Sequence, residues 1–433
     1  MIEKIGVGIL IILSLATFLA FLGNVFLGLP LTGVSFALII LALFFLFWFL
    51  FLRKSSKFPR LDKIRVWLFN LRPIEWLLLL IIVANLGTNI LMNWYWPPNE
   101  FDALTMYDFR GRVFAREGEI TGINDGYQAS YPLFTSLFHT MLYTWGFENP
   151  KIIYSLIFMI FVLVFTSVVK RHTNRLSSFF AGALLVTTPL LAQQAQIAYT
   201  NMTFAVYVGL AMVFLVSFMA TERREELIYS ILLLGASAWI RAATLPFVAM
   251  FLFALVLFGF KNRPTWKAVP FLIGWYLFFE FPWRFFQTNI LKITGYEQRG
   301  ISAIAQVNLP SLLGLLPEVL RTLSNNLLYF PIIGGVGALF LLSVFFSLAY
   351  PFFKKKTEKP FLLGLKVTIA GIFIWTLLAI SIFPFAEDLR LWRLLLTDSM
   401  TRLFMVFYPL MLFTIFVSPP IRHLLKGLEK LKL

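Results

Sequence analysis

Apolar residues in this chain come in long runs that are separated by short charged segments. The first three runs cover about Ile5–Leu27, Leu31–Leu52 and Ile74–Met92. Each run is close to the roughly 20 residues that an α-helix needs to cross a hydrocarbon layer of about 30 Å. The pattern predicts an all-α polytopic membrane protein, a single transmembrane domain with about twelve transmembrane helices.

The composition excludes several other classes of protein. Hydrophobic residues make up 59% of the 433 residues and charged residues only 13%. The chain has no cysteine, so disulfides and thiolate metal sites are excluded. The net charge of +16 comes from Lys and Arg between the apolar runs. That distribution is typical of topology-setting loops beside anionic lipid, so the bilayer is the predicted partner and nucleic acid is not.

The positive charges also predict which loops face the cytoplasm. The segment Arg53–Pro73 carries seven Lys or Arg against one Asp, which is the cytoplasmic pattern. Alternating helices then place Lys170–Arg175, Glu222–Glu226, Lys261–Lys267, Lys354–Lys359 and the tail Arg422–Lys432 inside. The outer segments are Trp94–Pro150, Gln193–Thr200, Thr288–Phe330 and Pro384–Ser399. Both termini are predicted to be cytoplasmic, in a plasma or inner membrane.

The two longest outer loops each contain helical patterns that are not predicted to span. In the first loop, Tyr107–Glu117 and Leu133–Trp145 are expected to lie along the outer surface. In the second loop, Leu309–Leu323 is expected to lie in the same way. The second loop also holds Tyr296, a candidate for substrate binding in a segment suited to a lid over the site.

Four short stretches follow one another on the predicted outer side. They are Glu100–Leu104 with the later Tyr131 and Pro132, then Ala198–Thr203, Trp239–Ala242 and Thr401–Pro409. In order and sidedness they resemble the GT-C glycosyltransferases, most closely the group of protein O-mannosyltransferases and the aminoarabinose transferase of lipid A. The resemblance implies a GT-C fold and a polyprenyl-phosphate sugar donor.

The chain departs from that family pattern at two positions. Asn201 stands where an Asp is common, and Ser130 precedes Tyr131 where an acidic residue is frequent. No cofactor is assigned for this reason, and metal dependence is left open.

Sugar transfer from a lipid phosphate needs a carboxylate to deprotonate or orient the acceptor hydroxyl. Asp102 is the first candidate, because it lies just beyond a helix end and beside Trp94–Trp96, residues that favour the membrane interface. Glu100 is the second candidate. The alternative for Asp102 is that it caps the helix that follows it.

The leaving phosphate needs cations, and Arg can donate two parallel hydrogen bonds to it. The candidates are Arg402, Arg241 and Arg284, each near an outer helix end. The alternative for each is that the side chain reaches to the interface without a functional role. Asp108 and Arg112 are candidates for sugar or phosphate contact, or else form an i,i+4 salt bridge on the surface. Tyr131 is a further candidate for substrate binding.

The sequence therefore predicts an inverting membrane glycosyltransferase that acts on an extracytoplasmic lipid, glycan or protein acceptor. Two alternatives remain open. A transporter or flippase for lipid-linked sugars would place polar residues near helix midpoints. A polysaccharide polymerase or ligase would share the outer arginines but would not need the early acidic loop.

Overall fold

The computed structural model describes residues 1–53, 70–123, 131–259, 266–293, 309–349, 359–381 and 389–430. These residues form helices joined by short turns, and no strand occurs among them. The predicted all-α class is therefore confirmed. Most of the basic loop Arg53–Pro73 and of Lys354–Lys359, together with Tyr296, lies outside the described residues.

The helices are numbered here in chain order. They are α1 Ile2–Leu27, α2 Gly33–Phe47, α3 Pro73–Tyr95, α4 Asp108–Glu117, α5 Phe134–Thr144, α6 Ile152–His172, α7 Arg175–Thr187, α8 Pro189–Gln194, α9 Thr200–Thr221, α10 Arg224–Ser237, α11 Leu245–Gly259, α12 Ala268–Phe285, α13 Leu309–Leu328, α14 Phe330–Ile333, α15 Val336–Ala349, α16 Lys359–Ser381, α17 Leu389–Thr397, α18 Ser399–Phe404, α19 Tyr408–Val417 and α20 Pro419–Lys430.

Seven described segments are long and apolar enough to cross a membrane. They are Ile2–Leu27, Gly33–Leu50, Pro73–Tyr95, Ile152–His172, Thr200–Thr221, Lys359–Ile380 and Trp392–Val417. The shorter apolar helices are Arg175–Thr187, Ala242–Leu255 and Val336–Ala349. The chain is therefore a multi-pass membrane protein. The predicted count of about twelve spans is not confirmed.

Helix α9 forms the centre of the bundle, because nearly every residue along it is buried. Hydrogen bonds between helices tie α1 to this core. The hydroxyl of Ser14 donates to Tyr207 Oη at 2.9 Å, and Trp239 Nε1 donates to Thr17 Oγ1 at 3.0 Å. Such pairing stabilises helices in lipid, where water does not compete for the polar groups. Both α9 and the turn that contains Trp239 are thus tied to α1.

Ion pairs join segments that were predicted to lie on the same side of the membrane. Arg171 contacts both Glu3 and Glu226, and Arg175 pairs with Glu75 at 2.6 Å. All five belong to segments at or next to the predicted cytoplasmic end. The placement agrees with alternating helices, while the choice of which end faces the cytoplasm stays a prediction.

Helices are present where the sequence predicted them in the two long loops, and the placement of the second is corrected. The first begins at Asp108 after a π-helical turn, Ala103–Tyr107. The helix predicted at Leu133–Trp145 is α5, but it does not lie on the surface, because all its residues from Phe134 to Leu142 are buried. It contacts α4, α1 and α2, and Thr140 donates a hydrogen bond to the Gly111 carbonyl of α4 at 3.3 Å.

Candidate active site

The two residues predicted to act as base and phosphate ligand lie next to each other. Arg402 Nη1 is 4.0 Å from Asp102 Oδ2, although the two residues are far apart in sequence. Asp102 is 27% exposed and Arg402 is 16% exposed, so both reach an open surface from a largely buried position. Arg402 also pairs with Asp398, one helical turn earlier, whose carboxylate is mostly exposed. Arg402 therefore lies between two carboxylates.

The side chain of Asp102 is not used as a helix cap. It makes no cap hydrogen bond to the turn Ala103–Tyr107 that follows it. The capping alternative thus has no support from this turn, and Asp102 Oδ2 lies 4.0 Å from Arg402 Nη1.

Tyr199 connects Asp102 and Arg402 through opposite parts of its side chain. Its hydroxyl accepts a hydrogen bond from the backbone N–H of Asp102 at 3.1 Å, and the Arg402 guanidinium lies over its ring, 5.6 Å from the centroid. Burial raises the pKa of Tyr199, so the hydroxyl stays protonated at neutral pH. Tyr199 thus contacts both the backbone of Asp102 and the side chain of Arg402.

The first turn of α9 brings the other predicted parts to the same place. Thr200 Oγ1 is 3.3 Å from the hydroxyl of Tyr107, and Asn201 Oδ1 accepts a hydrogen bond from Arg241 Nη1 at 2.6 Å. The ring of Tyr131 lies edge-on to Tyr107, with centroids 5.9 Å apart. The positive end of the α9 dipole therefore points at a cluster that already contains Arg402 and Arg241, an arrangement that favours an anion.

Glu100 lies beside a buried lysine that the sequence analysis did not single out. Lys151 is 3% exposed, directly before α6. Burial lowers the pKa of Lys151, and the nearby charge of Glu100 acts against this shift. An amine at the positive end of a helix is unfavourable, so Glu100 offsets part of that cost. Glu100 thus acts on the charge of Lys151, whereas the carboxylate of Asp102 lies 4.0 Å from Arg402 Nη1.

Asp108 and Arg112 belong to a second, buried cluster between α4 and α5. Asp108 accepts hydrogen bonds from Arg112 Nε at 2.8 Å and from the Tyr143 hydroxyl at 2.5 Å, and it lies 3.0 Å from His139 Nδ1. Burial raises the pKa of Asp108, but the bonds to His139, Tyr143 and Arg112 outweigh it and lower the pKa to about 2. The predicted i,i+4 pair is present, yet Asp108 is buried rather than on the surface.

The remaining predicted residues lie in other places. Arg284 pairs with Glu280 in its own helix at 2.7 Å. Tyr296 is outside the described residues. Within the described part of the chain, no three His, Asp or Glu side chains lie together as a metal site would require.

Tyr199, Lys151 and a stripe of amides are the residues that sequence reasoning missed. The signal for Lys151 was a positive charge directly before an apolar run on the predicted outer side, where such charges are uncommon. Asn85, Asn89 and Asn93 recur at intervals of four along α3, and that spacing could also have been read from the sequence. Tyr199 lies within the stretch Ala198–Thr203 named above, but its contacts could not be predicted, because they depend on which residues the fold brings to it.

The structure is similar to two crystal structures of ArnT from Cupriavidus metallidurans. The one bound to undecaprenyl phosphate aligns with a TM-score of 0.40 at 15% sequence identity, over 82% of this chain and 78% of ArnT. The apo structure aligns with a TM-score of 0.40 at 15% identity, over 80% and 76%. No protein-family model matches the sequence, and no curated protein matches it. A similarity this distant indicates neither a reaction nor a substrate.

Proposed function

We propose that this protein is an inverting membrane glycosyltransferase of the GT-C type. It moves a sugar from a polyprenyl-phosphate donor to an acceptor hydroxyl on the outer side of the membrane. The observation that carries the proposal is the 4.0 Å approach of Arg402 to Asp102 at a partly exposed position. A base and a phosphate-binding cation are the two groups that this reaction requires.

Asp102 acts as the general base in the proposed reaction. Its carboxylate takes the proton of the acceptor hydroxyl, and the acceptor oxygen bonds to the anomeric carbon of the donor sugar. The bond from that carbon to the phosphate oxygen breaks, and polyprenyl phosphate leaves with the bonding electrons. A single displacement of this kind inverts the anomeric configuration.

Arg402 and Arg241 stabilise the charge that develops on the leaving phosphate. Arg402 already faces carboxylates on two sides, so a phosphate can take the place of one of them. Arg241 is oriented by Asn201, at the positive end of α9. Fixed donors of this type stabilise a transition state without having to reorganise.

A transporter or flippase for lipid-linked sugars is the second candidate, and one observation favours it. Asn85, Thr88, Asn89 and Gln196 line a cavity of about 150 Å³ beside α3, inside a predicted span. Polar groups at membrane depth are expensive and are often functional. Asp102, Arg402 and Arg241, in contrast, lie around the start of α9 at the predicted outer end, as the transferase requires.

The test uses the purified protein in lipid nanodiscs with a labelled polyprenyl-phosphate sugar. Arg402→Ala is expected to weaken donor binding, and Arg402→Lys to restore only part of it, because an ammonium keeps the charge but loses the paired hydrogen bonds. Wild-type binding and turnover in both variants would contradict the assignment. Movement of the donor between leaflets without release of polyprenyl phosphate would favour the transporter.

A further inference from the structure

A separate polar cavity lies between α13 and α17, on the predicted outer side. Its volume is about 420 Å³, within the range of small-ligand sites. Its polar lining comes from Glu318, Arg321, Thr322 and Asn325 of α13 and from Arg393 and Thr397 of α17. Hydroxyl, amide and guanidinium groups in one concave surface are suited to a ligand that is rich in hydroxyl groups.

The cavity is built across two helices and carries an excess of positive charge. Arg393 Nη2 is 2.8 Å from Glu318 Oε1, and this ion pair bridges α17 and α13. The pair neutralises one of the two arginines. Arg321 is exposed and has no carboxylate partner among the described residues. A ligand with a negative charge therefore fits better than a neutral one.

The cavity and the candidate active site are built on adjoining helices. Thr397 ends α17 and is followed by Asp398, which pairs with Arg402 of α18. Helix α13 contacts both α17 and α18. The indole of Trp392 fixes α17 by donating to the carbonyl of Ala379 at 3.2 Å. A ligand held in the cavity would therefore reach Thr397, the residue directly before the Asp398–Arg402 ion pair.

We infer that this cavity binds the acceptor and that the acceptor is an acidic carbohydrate, either free or as the headgroup of a lipid. This inference rests on the proposed function, since it names the substrate from which Asp102 takes a proton. Arg321 contacts the acidic group, and Thr322, Asn325 and Thr397 contact hydroxyl groups of the sugar.

The experiment measures binding of two probes to the full-length protein in nanodiscs. One probe is soluble glucuronic acid, and the other is glucuronosyl diacylglycerol in the nanodisc lipid. Neutral glucose and glucosyl diacylglycerol serve as references. At least one acidic probe is expected to bind more tightly than its neutral reference, and the tighter of the two identifies the source of the acceptor.

Arg321→Gln is expected to weaken acidic-probe binding about tenfold or more, because it removes a charge-assisted hydrogen bond. Asn325→Asp is expected to weaken it as well, through repulsion. Arg390→Gln is the matched control, since Arg390 is exposed on the same α17 and does not line the cavity. Equal binding of acidic and neutral probes, or an equal loss in Arg321→Gln and Arg390→Gln, would overturn the inference.

Failure of the proposed function gives a different result. Arg402→Ala should weaken polyprenyl phosphate binding and leave the acidic sugar probe bound. If Arg402→Ala leaves polyprenyl phosphate binding unchanged while Arg321→Gln abolishes probe binding, the transferase proposal falls and the carbohydrate site stands. If instead Arg402→Ala weakens polyprenyl phosphate binding while Arg321→Gln leaves probe binding unchanged, the carbohydrate site falls and the transferase proposal stands.

Discussion

Arg402 contacts more of the candidate site residues than the other candidate arginines do. It faces Asp102, pairs with Asp398 and lies over the ring of Tyr199. The Asp398 carboxylate is 67% exposed, so its pairing with Arg402 is screened by water and is weak. A phosphate that binds Arg402 has to compete with this carboxylate.

Asp398→Asn is therefore expected to tighten polyprenyl phosphate binding, by about twofold to fivefold, since an exposed ion pair contributes roughly 0.2–1 kcal/mol. The gain should shrink at high salt. Glu117→Gln is the control, because it removes a carboxylate on the same predicted side of the membrane that lies beside Arg116 instead. Titration of both variants with polyprenyl phosphate in nanodiscs measures the effect. Weaker binding in Asp398→Asn would mean that Asp398 orients Arg402 and does not compete for it.

Tyr199→Phe separates the two contacts of one side chain. The variant keeps the ring under Arg402 and loses the hydrogen bond to the Asp102 backbone. We expect turnover to fall about threefold to tenfold while polyprenyl phosphate affinity changes little, because a neutral hydrogen bond contributes about 1 kcal/mol. An unchanged turnover number in steady-state kinetics would show that the Asp102 segment is held by other contacts.

At the scale of elements, α4 packs closely on α5, and this packing positions Asp102 and the turn Ala103–Tyr107 that lead into α4. Gly111 permits this approach, because a Cβ there would come within 2.6 Å of His139 Cβ and 3.1 Å of the Ser136 carbonyl oxygen. Gly111→Ala is expected to cost about 1–3 kcal/mol through overpacking. Gly87→Ala in α3 is the control, since nothing lies within 4 Å of its Cβ position. Thermal unfolding in detergent should show a lower midpoint for Gly111→Ala only.

The buried cluster of Asp108 also predicts a pH dependence of stability. Its folded pKa of about 2 is below the ordinary value of 3.8, so its contribution is present above about pH 4 and is lost as pH falls toward 2. The shift corresponds to about 2 kcal/mol. Asp108→Asn should lower the unfolding midpoint at pH 7 and reduce the further fall between pH 4 and 2. If the unfolding midpoints of the variant and the wild type fell equally between pH 4 and 2, this role of Asp108 would be contradicted.

The sequence predicted the helices of the outer loops well and their burial poorly. Leu133–Trp145 was expected on the surface because it is too short to span. Length alone does not reveal that Asp108 and Tyr143 complete a polar contact between α4 and α5. Asp102 and Arg402 could be nominated from their positions near helix ends. Their meeting could not be predicted, because it depends on how distant helices pack.

At the scale of the whole molecule, the prediction that remains is the orientation of the chain in the membrane. The chain has no native cysteine, so single cysteines can report it directly. Arg116 and Arg224 are exposed arginines on the predicted outer and inner sides. A membrane-impermeant thiol reagent should label Arg116→Cys in intact cells and should label Arg224→Cys only after the membrane is opened. The reverse pattern would place the candidate site on the cytoplasmic side.

The central claim is that Asp102 is the base, and one substitution tests it most directly. Asp102→Asn keeps the shape of the side chain but cannot take a proton at neutral pH. We expect it to fold and to bind polyprenyl phosphate, yet to lose roughly 10²–10⁴-fold in the rate of sugar transfer. Glu100→Gln is the matched control and should lose much less, because it is the carboxylate of Asp102 that lies 4.0 Å from Arg402 Nη1. Sugar transfer at the wild-type rate by Asp102→Asn would contradict the account.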